Sequence, residues 1–380
     1  MPTKPTPPIA FGGIQSNPDY RDIPAAAVLG APADLPQKYK VDTAALPLWN
    51  QRRIGACVGH AAGKKKQNQE WDETHEVVPI NPRFVYALAK AEDGLPNEGT
   101  YYRLGMKILQ KVGAPPEIPE YLNDTNLSHA DYIDISKIPA KAYELAAKYR
   151  IASYATIGSF MNITEEQLMQ GVSAGDGVLL GVQVGKEWWT NKSGQSSWSE
   201  ADLLPLRPPA AIVSGHAIFA DEYEVVGDSK LKIWHTNSWS KDWAAGGRGW
   251  FWYHEYKQFL IEAWSAIDLP NDWLEKLKQL PSAETFRHRF NQDLELGQRS
   301  EEVAALQTAL MIDGNFSKEL YAELFKQNQL GYYGSITQKA VREFQFKYKV
   351  ASAAELWLVN GRRAGVKTRI KLNELFAPQP

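Results

Sequence analysis

The chain contains a single cysteine, Cys57, so an intrachain disulfide is excluded and the fold must be held by a buried core. Cys57 lies in the segment QRRIGACVGHA (residues 51–61), directly before a stretch whose composition is compatible with a helix. At a helix N-terminus the dipole and the unsatisfied backbone N–H groups favour the thiolate, which is the nucleophilic form of the side chain. Gln51, upstream of the thiol, can donate a side-chain N–H to a developing oxyanion. The segment therefore predicts a nucleophilic cysteine at the start of a helix.

The composition limits the class of protein. With 380 residues, 44% of them hydrophobic and 23% charged, the chain can bury a large core and is long enough for about two domains. The net charge of -2 gives no strong field of one sign, so neither nucleic acid nor an anionic membrane is indicated as a partner. No apolar run approaches membrane-spanning length, and the start MPTKPTPP lacks the apolar core of a secretory signal. We therefore expect no membrane span and a cytoplasmic location by default, with unconventional secretion or association with a phage or injection system as alternatives.

The pattern of the sequence divides the chain into three regions. Residues 11–48 are rich in proline, aspartate and alanine and predict an extended arm over the surface of the main domain. Helical patterns follow at 57–70, 101–112 and 141–149, and strand patterns at 178–184, 217–226, 230–236 and 249–253. Helices followed by strands predict a two-lobed α+β domain over residues 1–270. A polar linker is predicted at 271–292 and a small all-α domain of three helices at 293–380.

Two downstream residues complete the set that peptide hydrolysis by a thiol requires. His216 can act as general base and acid, and Asn237 can orient the imidazole through its side-chain carbonyl. Gln51 and the backbone N–H of Cys57 can form the oxyanion hole, where the loss of one donor typically costs about 10²–10³ in rate. This chemistry needs neither a cofactor nor a metal ion. His60 lies close to Cys57, but the sequence has no second pair with zinc spacing.

The blocks around these residues resemble those of the papain-like cysteine peptidases, bacterial or phage members included. Residues 51–57 resemble the motif Q-x-x-C-G-S-C, residues 215–217 resemble the block around the family's histidine, and residues 237–247 resemble N-S-W-G-x-x-W-G-x-x-G. The resemblance covers about residues 11–269 and implies a helical lobe plus an antiparallel, β-barrel-like lobe. It also implies that Trp239 shields the hydrogen bond between Asn237 and His216 from water.

The chain departs from the family pattern at four positions, none of which removes a chemical role. Ile54 and Val58 stand where the family has a cysteine and a tryptophan, and Ser240 and Ala244 stand where it has glycines. His216 and Asn237 also lie farther from Cys57 than the window of about 130–150 positions typical of the family. The excess implies inserted loops, with residues 191–209 as the main candidate.

Several residues near the motifs have two interpretations. Trp188, Trp189 and Trp198 either line a substrate cleft or pack in the core. His235, two residues before Asn237, either points towards the site or has a structural role. The arm either crosses the cleft or packs on the surface.

The C-terminal region resembles the peptidoglycan-binding-like domain. Residues 294–307 resemble its opening block L-x-x-G-x-x-G-x-x-V-x-x-L-Q, with Ser300 in place of the second glycine. Residues 331–345 resemble the second block, G-x-F-G-x-x-T-x-x-A-V-x-x-F-Q, and residues 359–372 resemble the third. The resemblance implies a small helical module and makes peptidoglycan a candidate partner.

We therefore expect a cysteine endopeptidase that acts on a protein or peptide substrate through a thioester acyl-enzyme and is docked or targeted by its C-terminal module. One alternative is a murein hydrolase that cuts the stem peptides of the cell wall. Another is a non-catalytic binding or scaffold protein that retains the fold. Peptide ligation by the same three residues is compatible with the sequence as well.

Overall fold

A computed structural model describes residues 11–19, 22, 24–25, 29, 35–43, 46–159, 162–190, 199–227, 230–268, 284–317, 321, 324 and 331–378. The chain divides into two compact units, unit 1 from Met1 to Asp268 and unit 2 from Leu269 to Pro380. Most of the predicted linker lies outside the described residues, and its described part packs in unit 2, where Phe290 is buried. No helix in the described ranges is long and apolar enough to cross a membrane.

Unit 1 combines helices and strands, which confirms the predicted α+β class. Its helices are α1 (Cys57–Thr74), α2 (Pro82–Asp93), α3 (Tyr102–Lys111), α4 (His129–Ile133), α5 (Ala140–Ala146), α6 (Glu165–Ala174), α7 (Glu187–Thr190) and α8 (Tyr253–Tyr256). Its strands are β1 (Gly13–Ile14), β2 (Lys38–Lys40), β3 (Thr100–Tyr101), β4 (Ile151–Ser159), β5 (Val178–Val184), β6 (Ser214–Val226), β7 (Lys230–Thr236), β8 (Arg248–Trp252) and β9 (Leu260–Asp268). The three predicted helices and four predicted strands are confirmed, with ends shifted by a few residues. The strands β4 and β9 and the helices α2 and α6 were not predicted.

The sheet lobe is an open antiparallel sheet. Its strand order is β4-β9-β5-β6-β7-β8, and β2 pairs with the far part of the long strand β6. Within the described residues β4 and β8 are the two edges of this path and do not pair, so the β-barrel-like lobe is not a closed barrel. A core of large apolar side chains fills one face of the sheet, and it includes Trp188, Trp243 and Phe251.

The boundaries of α2 show how local chemistry sets the helical lobe. Asn81 caps the helix, because its Oδ1 accepts hydrogen bonds from the backbone N–H groups of Arg83 and Phe84. Pro82 occupies the first helical position, where a missing N–H has no cost. The helix ends at Gly94, whose φ of 64° lies in the left-handed region that favours glycine.

The helix that begins with Cys57, α1, is buried along most of its length although it is rich in polar residues. Lys66 is fully buried, and its Nζ forms ion pairs with Glu70 and with Asp268 at the end of β9. Lys65 is also fully buried, and its Nζ donates to the backbone carbonyl of Gly175, directly after α6. A buried ammonium group is strongly unfavourable unless it is paired or hydrogen-bonded. The lysines therefore tie α1 to the sheet lobe at defined points.

The arm contributes strands to both lobes instead of lying on the surface alone. Its strand β1 pairs in parallel with β3 of the helical lobe, with Gly13 opposite Thr100. Its strand β2 pairs in an antiparallel manner with β6 of the sheet lobe. The arm is thus extended, as predicted, but it is integrated into unit 1.

Unit 2 has more elements than the predicted three-helix, all-α domain. Its described helices are α9 (Glu301–Ile312), α10 (Ser335–Lys347), α11 (Ala353–Val359) and α12 (Val366–Phe376). Two short strands, β10 (Leu294–Glu295) and β11 (Arg363–Ala364), form an antiparallel pair. The prediction of three helices was wrong because α11 and this strand pair are too short to leave a clear periodicity.

The sequence blocks of unit 2 correspond to a repeated hydrogen-bonding pattern. The buried Gln307 of α9 donates from Nε2 to Thr337 Oγ1 at 2.9 Å, and the buried Gln345 of α10 donates to Thr368 Oγ1 at the same distance. Each glutamine also donates to the backbone carbonyl five residues before its threonine partner. Glutamine at the end of one block and threonine in the next therefore join α9 to α10 and α10 to α12.

The packing of α1 on α2 predicts different responses at two glycines of one helix. A Cβ at Gly59 would lie 2.6 Å from the carbonyl oxygen of Pro82 and 2.7 Å from Tyr86 Cβ, whereas a Cβ at Gly63 would meet Pro82 Cβ at 3.4 Å, an ordinary contact. We expect Gly59→Ala to lower the free energy of unfolding by about 1–3 kcal/mol through overpacking. Gly63→Ala, the matched control, should be neutral or stabilise by up to about 1 kcal/mol through helix propensity.

Urea unfolding followed by tryptophan fluorescence measures this difference mainly in unit 1, because only Trp273 and Trp357 lie beyond Asp268. Equal stabilities of the two variants would show that α1 can shift away from α2 without cost.

Candidate active site

Cys57 is the first residue of α1, as predicted, and its side chain is fully buried. Burial disfavours the charged thiolate and raises the pKa of Cys57 to about 11. The nearby backbone N–H groups of Ala217, Gly12 and Val58 oppose this increase in the pKa, but their effect is smaller than that of burial. The expected stabilisation of the thiolate at the helix N-terminus is therefore outweighed, and the neutral thiol is the form present at pH 7.

His216 and Asn237 come together because β6 and β7 are antiparallel neighbours. His216 lies near the start of β6, Asn237 directly follows β7, and His216 Nε2 is 2.8 Å from Asn237 Oδ1. Since the amide oxygen can only accept, Nε2 carries the proton and Nδ1 presents its lone pair. In the part of the chain that the structure describes, Nδ1 has no hydrogen-bond partner. It is the nitrogen that can accept a proton.

The imidazole is neutral at pH 7 in this structure. Burial lowers the pKa of His216 to about 4, the hydrogen bond with Asn237 opposes the decrease, and the nearby His60 adds to it. The indole of Trp239 stacks on the imidazole with ring centroids 4.7 Å apart and an interplanar angle of 27°. Trp239 therefore covers one face of the ring.

Gln51 is held in place by Ser238, a residue that the sequence analysis did not single out. The backbone N–H of Gln51 donates to the Ser238 carbonyl at 2.8 Å, and the Ser238 hydroxyl donates to Gln51 Oε1 at 2.5 Å. The amide nitrogen of Gln51 donates to the carbonyl of Ile54 at 3.0 Å. These contacts fix the orientation of the amide, so that its nitrogen faces the loop that precedes Cys57. The position of Ser238 directly after Asn237 was the available signal.

The predicted residues form one cluster with an incomplete contact between thiol and imidazole. Asn237 links His216 to Ser238, because its Oδ1 also accepts from the Ser238 backbone N–H at 2.8 Å, and Ser238 in turn binds Gln51. Cys57 adjoins the same strand as His216, through the N–H of Ala217. Within the described residues the Cys57 thiol and the His216 imidazole form no hydrogen bond with each other.

The arm passes beside the loop that precedes Cys57. The carbonyl of Gly12 accepts a hydrogen bond from the Thr100 N–H at 2.8 Å, and a Cβ at Gly12 would lie 1.8 Å from the carbonyl oxygen of Gly55. On the other side, the carbonyl of Gly13 lies so close to Gly215 that a Cβ there would be 2.2 Å away. The arm therefore lies between the two lobes, and a side chain at Gly12 or Gly215 would clash with neighbouring backbone.

The arm is not presented for attack by Cys57. The N–H of Gly12 faces the sulfur, and in a trans peptide the preceding carbonyl points the opposite way. The carbonyl of Gly12 itself is bound by Thr100. A nucleophile needs the carbonyl carbon in front of it and the oxygen at the oxyanion donors. The arm therefore does not place a carbonyl carbon in front of the thiol.

The remaining candidates have the following positions. His60 is buried in α1 with Nδ1 2.9 Å from the Ala56 carbonyl, and His235 is buried with its ring stacked on Trp188 at 5.3 Å. Trp188 and Trp189 lie beside His216 and the arm, whereas Trp198 and residues 191–198 lie outside the described residues. The one group of possible metal ligands in the described chain, Glu70, Glu73 and Asp268, contains the two carboxylates that form ion pairs with Lys66.

Comparison with known proteins identifies the fold. No protein-family model and no curated protein sequence matches the chain. Among solved structures the chain is similar to xylellain, a cysteine protease from Xylella fastidiosa, with a TM-score of 0.53 and 24% identity over 68% of this chain and 96% of that chain. This likeness shows a papain-like fold.

Two further solved structures superpose with TM-scores below 0.5. Digestive procathepsin L 3 of Tenebrio molitor has a TM-score of 0.48 and 12% identity over 65% of this chain and 73% of that chain. The bromelain protease from Ananas comosus, in complex with the E64 inhibitor, has a TM-score of 0.43 and 16% identity over 61% of this chain and 99% of that chain.

The pKa of the buried thiol predicts how its reactivity depends on pH. Because the pKa of Cys57 is raised to about 11, the thiolate fraction should increase tenfold per pH unit up to and beyond pH 9. Alkylation by iodoacetamide at pH 7 should be at least about tenfold slower than for a free cysteine. Intact-protein mass measures the rate without background, since the chain has no other cysteine and Cys57→Ser removes the reaction. A rate that levels off below pH 7 would show a thiolate–imidazolium pair in this conformation.

Proposed function

We propose that unit 1 is a cysteine endopeptidase that hydrolyses peptide bonds through Cys57, His216, Asn237 and Gln51. The observation that carries the proposal is the oriented imidazole. His216 is bound to Asn237 through Nε2 and stacked under Trp239. Its Nδ1, which has no hydrogen-bond partner among the described residues, lies in the same cluster as the first residue of α1. A helix N-terminus, an oriented base and a fixed amide donor are the parts that acyl transfer to a thiol requires.

In the proposed reaction His216 Nδ1 takes the proton of Cys57 as the sulfur attacks the carbonyl carbon of the substrate. The oxyanion receives hydrogen bonds from the Cys57 backbone N–H and the Gln51 amide, whose orientation Ser238 maintains. The imidazolium then protonates the leaving amine, the C–N bond breaks, and a thioester remains on Cys57. Water, deprotonated by the same imidazole, attacks the thioester and releases the acid and the thiol.

We further propose that the arm keeps the enzyme latent. With Gly12 in the cleft, burial holds the thiol and the imidazole in their neutral forms. Departure of residues 11–14 admits water or substrate, reduces the burial penalty on both charged forms and allows the ion pair to form. The arm is anchored beyond the cleft, where Ser16 Oγ donates to the buried Glu262 at 2.7 Å and Arg103 forms an ion pair with Asp22.

For unit 2 we propose binding to peptidoglycan, which would direct the peptidase to a cell wall. The support is the three sequence blocks, whose glutamine and threonine residues make the core hydrogen bonds of the unit. If this holds, murein stem peptides become the substrate of unit 1. Incubation with purified sacculi tests both points: co-sedimentation of the protein measures binding, and released peptides measure hydrolysis.

The catalytic proposal predicts a graded loss of activity. In an arm-released background, Cys57→Ala should abolish turnover of a casein or peptide-library substrate, and His216→Ala should lower it by at least about 10³-fold. Gln51→Ala should lower kcat by about 10²–10³-fold with little change in KM, because the donor acts on the transition state. His254→Ala is the control, because it alters a half-exposed histidine that is not one of the proposed site residues. An unreactive Cys57 in a folded, arm-released protein would instead indicate a binding or scaffold protein.

The latency proposal predicts activation by a single substitution in the arm. Gly12→Val cannot be accommodated against the Gly55 carbonyl, so the segment must leave the cleft. Labelling of Cys57 by an epoxide inhibitor of papain-type enzymes should become at least about tenfold faster at pH 7 than in the wild type, because the thiolate becomes accessible. Gln15→Val changes an exposed residue of the same segment and should label at the wild-type rate. If both variants labelled as the wild type does, the arm would not control the thiol.

A further inference from the structure

One side chain of the arm enters a pocket of aromatic rings beside the catalytic histidine. The ring of Phe11 lies 5.4 Å from Trp189 and 6.1 Å from Trp239, measured between centroids. It also meets the His216 imidazole edge-on at 6.1 Å with an interplanar angle of 89°. Trp189 and Trp239 are themselves 6.5 Å apart at an angle of 79°, so they form two walls of one corner. We call this the Phe11 pocket.

The pocket is rigid because its support is buried and hydrogen-bonded. Trp188, the neighbour of Trp189 in α7, is fully buried, and its Nε1 donates to the Tyr256 hydroxyl at 2.8 Å. Its backbone carbonyl accepts from Trp243 Nε1 at 2.9 Å. Trp188 contacts Trp239 edge-on at 6.1 Å and adjoins Trp189 in the chain. A site whose walls are fixed in this way binds an aromatic ring with little loss of its own conformational entropy.

The position of the pocket defines which part of a substrate it faces. His216 must protonate the leaving amine, so the residues that follow the scissile bond lie on the His216 side of Cys57. Phe11 contacts His216 directly, and Trp239 stacks on the same imidazole. The Phe11 pocket therefore lies on the leaving-group side of the thiol.

We infer that the Phe11 pocket is a specificity subsite for an aromatic side chain in the first or second residue after the scissile bond, with Trp189 as a specificity-determining residue. This inference rests on the peptidase function proposed above. The pocket already holds the ring of Phe11, packed edge-to-face against His216 and Trp239. This occupant indicates that an aromatic side chain fits the pocket. In the latent form the arm fills the subsite with its own Phe11, and in the open form a substrate fills it.

The test uses the full chain with Phe11→Ala and Gly12→Val together, which leave the pocket vacant and the cleft open. Internally quenched peptides, randomised before the scissile bond, carry Phe, Leu, Ala or Asp at the two positions after it, and mass spectrometry identifies the bond that is cut. We expect kcat/KM to be about 10- to 100-fold higher with Phe than with Ala, as for burial of a large apolar side chain in a fitted pocket. Adding Trp189→Ala should reduce this ratio to about threefold or less.

Trp252→Ala is the matched control, because Trp252 is a half-buried tryptophan of β8 that contacts Trp250 and His254 and lies outside the pocket. The ratio should remain unchanged in this variant. Turnover without a preference for Phe, or a preference that survives Trp189→Ala, would overturn the inference while leaving the peptidase function intact.

If no peptide is cut, the peptidase proposal fails, and binding still decides the subsite. In the same background with Cys57→Ala, the peptides are titrated and tryptophan fluorescence gives their Kd values. Binding of the Phe peptide at least about tenfold tighter than that of the Ala peptide, lost with Trp189→Ala, would support the pocket. Equal affinities would overturn it.

Discussion

The burial of α1 is the constraint on which the site depends. This helix carries Cys57 at its first residue, yet its middle holds three consecutive lysines that are almost completely buried. Each Nζ has a partner outside the helix: Lys64 reaches the Pro47 carbonyl, Lys65 the carbonyl after α6, and Lys66 the carboxylate of Asp268 on β9. A buried ammonium group without a partner costs several kcal/mol, so the helix can lie at the centre of unit 1 only in the rotation and depth that satisfy all three. Fixing the helix also fixes the thiol against β6, the strand of His216.

The path of the arm affects the protonation states of Cys57 and His216, because both states depend on burial. Burial moves the pKa of Cys57 up to about 11 and that of His216 down to about 4, so the pair has no charge over the whole physiological range. Part of that burial comes from the arm, whose backbone passes between Gly55 and Gly215. The N–H of Gly12 that faces the sulfur favours the thiolate, but the water that the same backbone excludes matters more. The arm thus affects the protonation states of Cys57 and His216 as well as the access of a substrate to them.

Sequence reasoning succeeded where a pattern is local. The start of α1 at Cys57 and the bounds of β5 and β7 follow from short runs of residues, and the α+β class follows from their order. It missed β9, the strand between β4 and β5, because the buried carboxylate of Glu262 interrupts its apolar run. It left α2 unassigned although Asn81, Pro82 and Gly94 are start and stop signals. The path of the arm was not predictable, since it is decided by glycine contacts with residues distant in the chain, and Ser238 gains its role only through the partner Gln51.

The arm and a substrate differ in the orientation of the peptide bond over the thiol. The arm places an N–H at the sulfur and gives its carbonyl to Thr100, whereas a productive substrate must place a carbonyl carbon there. Both can nevertheless use the same aromatic corner, because a ring packed against Trp189 and Trp239 does not constrain the direction of the chain that carries it. The apparent affinity for a substrate is then its intrinsic affinity reduced by the fraction of molecules in which Phe11 has left. A peptide with an aromatic residue on the leaving-group side competes with Phe11 for that corner. Under the proposed function, a single binding event therefore both selects the substrate and opens the cleft.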